Sequence, residues 1–426
     1  MKKDIWIFNH YATSMFKNKG GRHYSLALEL KKRGYNPTIF CANTLHNSLE
    51  KVNNIKNDNY YIEELNGVKF VFIDTVPSCK NNIQRVKNMF KFYYNLNNQY
   101  KRIMDSVGAP DIIYASSVHP LTLVSGIKIS KKLNIPCISE IRDLWPEAIF
   151  EFTKIKEKGF IGSLLVKGEH WIYKKSDSLI FTKEGDTDYL KEKGWFETQG
   201  GKIDAEKCYY INNGVDIHDF DNNSSRNTIE DEDLHSDKFN IVYSGAIRPV
   251  NDVSKLVRIA RLLREHDDIQ ILIYGSGNDF ERIDNMIKEF NLNNIILKGS
   301  VEKKYIPYIL KNSNLNILNY SQEKFNWSRG NSSNKLFEYF ASGKPIISTV
   351  KMGYSPIKKY NCGYEFFGDS NEKEITNKIL EVKEMYDKDI SRYNELCNNS
   401  IMASKEFDYY VLCDKLIDVI ENTNRS

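Results

Sequence analysis

At 426 residues the chain exceeds what one hydrophobic core usually organises and suits two α/β domains of roughly 200 residues each. Hydrophobic residues make up 41% and charged residues 27%, a globular composition that excludes disorder, and no run reaches the ~18 uninterrupted apolar residues of a spanning helix. The net charge of +4 hides an asymmetry: residues 1–185 carry 28 Lys and Arg against 17 Asp and Glu, and the remainder 32 against 39. The basic half is expected to face something anionic.

The opening MKKDIWIFNHYATSMF breaks its apolar run at Asp4, Asn9 and His10, so neither a signal peptide nor an anchor is expected. The seven cysteines (Cys41, Cys79, Cys137, Cys208, Cys362, Cys397 and Cys413) are odd in number and never at CxxC spacing. A disulfide framework or zinc site is therefore not expected, and a cytoplasmic location is.

In chain order, short apolar runs alternate with amphipathic ones: IWIFN (5–9), a helix from about Gly21 to Arg33, PTIFCA (37–42), a helix near 82–104, DIIYASS (111–117), a helix near 120–133, then PCISEI (136–141), SLIFTK (178–183) and CYYINNG (208–214). This alternation predicts a parallel sheet wrapped by helices. Residues 221–237, DNNSSRNTIEDEDLHSD, read as a polar surface linker. A second series follows in FNIVYSG (239–245), IQILIYG (269–275), IILKGS (295–300), LNILNY (315–320) and PIISTV (345–350), predicting a second doubly wound domain. The expected division is a first domain over 1–200, a connecting segment over 201–238, a second domain over 239–400, and a C-terminal helix over 401–426 that can pack back on the first domain.

After the first strand, Gly20-Gly21 precedes a helix. Glycines there let backbone N–H groups approach a phosphate or sugar, or alternatively supply a tight turn. The GxGxxG of a dinucleotide dehydrogenase is absent. The richest stretch is GNSSNKLFEYFASGKPIISTV (330–350), where Asn334 can cap a helix ended by Gly343. Free N–H groups around Asn334 and Lys335 then sit at a strand-to-helix junction, where open α/β sheets bind ligands. Glu338, one turn on, can accept hydrogen bonds from ribose hydroxyls or stand as a solvated helix carboxylate.

The run SSNKLFEYFASGKPI resembles the donor-binding signature of family-4 retaining glycosyltransferases, in particular the branch building O-antigen and capsule chains. NHYATSMFKNKGGRHYSLALELKKRGYNPTIF, IYASSVHPLTLV, SEIRDLWPEAI, VYSGAIRPVNDVSKLV and LIYGSGNDFERI with ILKGSV resemble further segments of that family in the same order. The resemblance implies an α/β GT-B fold, two doubly wound Rossmann-like domains facing a central cleft. The family's glutamate pair spaced eight apart falls on Gly330 and Glu338. The second is implied to bind ribose, while the first is missing, so Asn331 or backbone N–H groups take its place.

The resemblance further implies that His119 contacts the donor sugar, that Arg248 neutralises the leaving diphosphate, and that Asp143 orients the acceptor hydroxyl. Asp143 reads equally as a partner of Arg142 or a helix cap. The lysine expected five residues after Arg248 is Val253, leaving Lys255 or Lys335 as substitutes. Gly275 joins the donor-binding set of Gly20, Gly21, Asn331, Asn334, Lys335 and Glu338. The implied chemistry is retention at the anomeric carbon without a protein nucleophile, using a nucleotide-sugar donor, a UDP-sugar by preference, and no metal or other cofactor. The histidines show no HxxH or HExxH spacing and no DxD pair ends a strand. A nucleotide-sugar 2-epimerase and a non-catalytic nucleotide-binding subunit are the alternatives; a periplasmic solute-binding protein would need an export signal.

Residues 80–104 place Ile83, Val86, Phe90, Tyr93, Tyr100 and Met104 at helical spacing beside Lys80, Arg85, Lys87, Lys91, Lys101 and Arg102, with no acid. Such a helix can lie on an anionic membrane or pack on the first sheet with a solvated basic face. The expected partners are a nucleotide sugar, a lipid-linked saccharide acceptor and an anionic membrane surface; a nucleic acid is not among them.

Overall fold

The computed structural model describes residues 3–46, 48–52, 59–78, 82–117, 119–153, 155–323, 326–368 and 371–423. Cys79 and Lys80 lie outside them. The chain divides into two compact units, one made of residues 1–212 with 409–426 and the other of 213–408.

The first unit is built on strands β1 (Asp4–Phe8), β2 (Asn36–Ala42), β3 (Tyr60–Leu65), β4 (Val68–Ile73), β5 (Ile112–Ser116), β6 (Cys137–Ile141), β7 (Ser178–Phe181) and β8 (Cys208–Tyr210). Its helices are α1 (Thr13–Asn18), α2 (Arg22–Lys32), α3 (Asn82–Val107), α4 (Pro120–Leu133), α5 (Trp145–Phe152), α6 (Phe160–Lys175) and α7 (Asp186–Glu192). The sheet order is β3-β4-β2-β1-β5-β6-β7-β8, parallel throughout except for the β3–β4 pair. Strands such as IWIF and IIYAS are buried on both faces, as a helix-covered parallel sheet requires.

Sequence pattern places this sheet but not α1 or the β3–β4 hairpin, whose turn rests on Asn66 and Gly67, both at positive φ. The apolar stripe expected on α3 divides. Tyr100 and Met104 join the core with Phe92, Leu96, Ile103 and Val107, whereas Ile83, Val86 and Phe90 stay exposed.

The second unit holds α8 (Ile217–Arg226), β9 (Phe239–Ser244), α9 (Ser254–Leu262), β10 (Ile269–Tyr274), α10 (Phe280–Glu289), β11 (Ile295–Gly299), α11 (Ile306–Lys311), β12 (Leu315–Leu318), α12 (Asn334–Ser342), β13 (Ile346–Ser348), α13 (Pro356–Tyr360), β14 (Gly363–Glu365), α14 (Glu372–Lys388) and α15 (Ile390–Glu406). Its strands run parallel in the order β11-β10-β9-β12-β13-β14. Residues 221–237 are not a surface linker. They complete α8 and pack Ile229 and Leu234 against this unit's core, while Asp231 pairs with Lys298 and accepts a hydrogen bond from Tyr274. The acidic composition hides this because two apolar anchors suffice to dock the segment.

The chain then returns to the first unit as α16 (Tyr409–Thr423), which puts Tyr409, Leu412, Leu416 and Ile420 into the core beside Tyr24, Leu26 and Leu30 of α2. Among the described residues no helix is long and apolar enough to cross a membrane.

Candidate active site

In each sheet the strand order reverses beside the first strand of its unit, at β1/β5 and at β9/β12. Such switch points are where open α/β sheets leave room for a ligand.

At the first switch point, His10 follows β1 and His119 follows β5. His10 Nδ1 and His119 Nε2 are 2.6 Å apart, and both side chains are fully buried. His10 also stacks on Phe92 of α3, with ring centroids 4.4 Å apart. Burial, assisted by the positive Arg85, pushes His119 down to about 3, and burial with the neighbouring His119 holds His10 well below its usual value. Both rings are therefore neutral at physiological pH. The motif containing His119 was legible in the sequence; its partner His10 was not, because nothing at a spacing of 109 residues signals it.

A second buried cluster escaped sequence reasoning altogether. Glu140, at the end of β6, pairs with Arg22 at 2.7 Å and with His23 at 3.1 Å, and accepts hydrogen bonds from Ser116 at 2.8 Å and from Tyr114. Burial opposes the charge on Glu140, but Arg22 and His23 outweigh it and hold the carboxyl well below the usual carboxylate range. Arg22 also donates to the backbone oxygens of Ile211 and Asn212, fixing the segment at which the chain leaves this unit.

Gly21 has φ +120 at the start of α2, the left-handed range that glycine alone enters readily, and Met15 packs against it. The tight-turn reading of Gly20-Gly21 thus has direct support in the backbone. Asp143 follows β6 with its side chain 67% exposed and lies 3.8 Å from Lys183. Leu144, not Asp143, is the N-cap residue of α5. An exposed carboxylate held only at long range remains available to a hydroxyl.

At the second switch point, the turns after β9 and β10 are laced together: Gly245 donates to Tyr274 O at 2.9 Å and Ile247 to Ser276 O at 2.9 Å. A Cβ at Gly275 would collide with the Gly245 carbonyl, so Gly275 is required by this contact between two backbones. Arg248 lies just beyond, exposed.

Lys335, in the first turn of α12, places Nζ 4.7 Å and 4.5 Å from the ring centres of Tyr243 and Tyr320. A Cβ at Gly245 would stand 2.9 Å from that ammonium. Burial opposes its charge, but the hydroxyls of Tyr243, Tyr320 and Tyr339 hold it above the ordinary lysine value. Lys255, in contrast, is fully buried in the first turn of α9. Of the two lysines that could stand in for Val253, Lys335 reaches the turn after β9 at Gly245, whereas Lys255 is enclosed at the start of the helix that follows the same strand.

The residue capping α12 is Ser333, and Asn334 is its first helical residue, contrary to the expectation that Asn334 caps. No side chain caps this end; instead Asn331, itself buried, accepts from the Ser333 N–H at 2.7 Å. Glu338 sits one turn further, 21% exposed and 3.9 Å from Lys303. Burial raises its pKa against the pull of Lys303 and Lys335. Gly330 is buried with φ +104, so the position where a carboxylate was expected has a backbone that a glutamate resists. Among the described residues no group of three or more His, Cys, Asp or Glu is placed to hold a metal ion.

Two family models match, Glycosyltransferase Family 4 over residues 23–219 and Glycosyl transferases group 1 over residues 224–400. A proposed teichuronic acid biosynthesis glycosyltransferase of Bacillus subtilis (strain 168), TuaH, is 26% identical over 225 residues, a match covering 52% of this chain and 52% of that protein. Among solved structures, sucrose-phosphate synthase from Thermosynechococcus elongatus aligns with TM-score 0.69 and 15% identity over 99% of both chains. Anabaena HepE in complex with UDP aligns with TM-score 0.64 and 12% identity, covering 99% of this chain and 100% of that one. The E. coli trehalose-6-phosphate structure bound with UDP-2-fluoro glucose aligns with TM-score 0.70 and 9% identity over 98% of both. With one family model along most of each unit and this fold in both, the chain belongs to the family-4 glycosyltransferases of the GT-B class.

Proposed function

We propose that this protein transfers a sugar from a nucleotide-sugar donor, of the UDP type, to a lipid-linked saccharide acceptor during assembly of a surface polysaccharide, with retention of anomeric configuration. The second unit holds the donor. Its diphosphate rests on the uncapped N-terminus of α12 and against Lys335 and Arg248, and Glu338 accepts from the ribose hydroxyls. The first unit supplies His119 toward the sugar and Asp143 toward the acceptor hydroxyl. No side chain is needed as nucleophile. The protein's main task is to stabilise charge on the departing diphosphate, which takes the acceptor proton, and one preorganised donor in such a role is typically worth about 3–4 kcal/mol of barrier.

The observation that carries this reading is the lodging of Lys335 between Tyr243 and Tyr320, beside Gly245, at a switch point and an uncapped helix start. Teichuronic acid assembly by the Bacillus relative and UDP in the HepE structure agree with the polymer and the donor base. The test is a panel of nucleotide sugars with nucleotide release as readout, comparing the native chain with Glu338→Ala. The donor KM should rise at least tenfold in the variant with its thermal transition unchanged. Equal kinetics, or release unaffected by any acceptor saccharide, would contradict the assignment.

A further inference from the structure

The first unit holds a half-open cavity of about 610 Å³ walled by α3, α4, α5 and α6. Its lining is almost wholly hydrocarbon, from Phe90, Val124, Ile149, Leu164 and Trp171 among others. The polar groups in its lining include Ser117, His119, Asp143 and Glu169, and His119 Nδ1 is buried without a hydrogen-bond partner. At the rim, Val86, Phe90 and Leu164 are 50%, 57% and 62% exposed while also lining the cavity, and Phe160 and Ile161 continue this apolar margin on α6. A void so lined offers water few partners and stays dry or takes an apolar guest.

Gly168, itself exposed, borders this space. It lies within α6 and lines the cavity, and a Cβ there would meet nothing within 4 Å. Neither a positive φ nor a close neighbour calls for glycine at this position, although glycine inside a helix is unfavourable relative to alanine. What the missing side chain provides is space. Beside the rim, Arg85 acts on both His10 and His119, and its Nε is buried and makes no hydrogen bond. A cation next to an apolar cavity complements an amphiphile with an anionic head.

We propose that this cavity takes the hydrocarbon chain of the lipid that carries the acceptor, with the lipid's phosphate at Arg85 and its sugar toward Asp143. The assignment rests on the reading of a lipid-linked acceptor given above. It makes the first unit recognise the carrier, by chain length and headgroup charge, as well as the terminal saccharide.

The test is calorimetric titration with octyl, decyl and dodecyl phosphate below their micelle concentrations, using the native chain, Gly168→Leu and Gly168→Phe. Each methylene entering the cavity should tighten binding about fourfold, so dodecyl phosphate should bind about two orders of magnitude more tightly than octyl phosphate. Gly168→Leu should shorten this dependence and Gly168→Phe abolish it, with UDP binding and the thermal transition unchanged in both. A flat dependence in the native chain, or a native slope in Gly168→Phe, overturns the proposal. If no nucleotide sugar turns over while the slope and its loss persist, the transferase reading fails and the cavity assignment stands. Turnover with a flat slope sinks the cavity assignment alone.

Discussion

His10 and His119 share one hydrogen across 2.6 Å, and neither ring is exposed to solvent. Since both are neutral, one ring donates and the other accepts, which forces their far nitrogens, His10 Nε2 and His119 Nδ1, into opposite roles. A substrate hydroxyl that changes the role of one must change the other. The folded-state pKa of each ring lies below the ordinary unfolded value of about 6.5. The folded protein therefore binds fewer protons than the unfolded chain below that pH. The stability that His119 contributes is fully present well above pH 6.5 and is lost as pH falls, by about 2 kcal/mol down to pH 5, and the contribution of His10 has the same sign. Urea unfolding at stepped pH should show this slope, and His10→Asn and His119→Asn should each reduce it; a variant with the native slope would contradict the buried neutral pair.

Lys335 and Arg248 should act on the barrier rather than on donor affinity, because leaving-group charge develops mainly in the transition state. Lys335→Met and Arg248→Ala are each expected to lower kcat by about 10²–10³ with a smaller change in KM. Lys255→Met is expected to lower kcat less than Lys335→Met, because Lys335 stands beside the Gly245 turn whereas Lys255 is enclosed in the first turn of α9. A kcat loss confined to Lys255→Met would reverse the choice between the two lysines.

Restoring the family's absent carboxylate should fail. Gly330 has φ +104, and a residue with a Cβ pays about 1–3 kcal/mol to hold such a backbone. Gly330→Glu is expected to lower the thermal transition and give no gain in turnover. Native stability together with raised kcat would show that the loop accepts the carboxylate.

Arg22 and Glu140 form a deeply buried ion pair in the first unit, at 2% and 0% side-chain exposure. Arg22→Met leaves Glu140 charged and only partly paired in the interior and should cost about 3–5 kcal/mol. Arg22→Met combined with Glu140→Gln should recover part of that loss, which denaturant midpoints will read. Additive losses would mean that Arg22 acts chiefly through the Ile211 and Asn212 carbonyls.

The expectation that α3 docks at headgroup level on anionic lipid rests on the exposed Ile83, Val86 and Phe90 with the nearby Lys87. Lys91 contributes less than its charge suggests, since it pairs with Asp74. Changing Lys87, Lys101 and Arg102 to Gln should weaken co-sedimentation with anionic vesicles by about 1 kcal/mol per cation, and salt should mimic the effect. Equal recovery with neutral vesicles would leave α3 as ordinary packing.

The alternation of apolar runs made both parallel sheets legible, because strands covered on both faces are near-continuously apolar, as in IWIF of β1. The α12 segment and Glu338 were legible through local spacing. What escaped were contacts between residues far apart in the chain: His10 with His119, and Arg22 with Glu140 across 118 positions. Charged and polar side chains at such places read as solvated until the fold encloses them. The buried face of α3 was misjudged for a related reason. Two apolar stripes wind along it, and only packing decides that Phe92 and Leu96 enter the core while Val86 and Phe90 do not.

The return of the chain as α16 has a consequence for biosynthesis. The core shared by α2 and α16 lacks Leu412, Leu416 and Ile420 until α16 has been made. At about 5–20 residues per second, the first 212 residues would wait on the order of 10–40 s with the α2 surface uncovered. The second unit, uninterrupted from 213 to 408, can close before the first although it is made later. During that interval the nascent chain depends on whatever shields Tyr24, Leu26 and Leu30, and a change confined to the last fifteen helical residues reaches the stability of a unit whose other residues were made first.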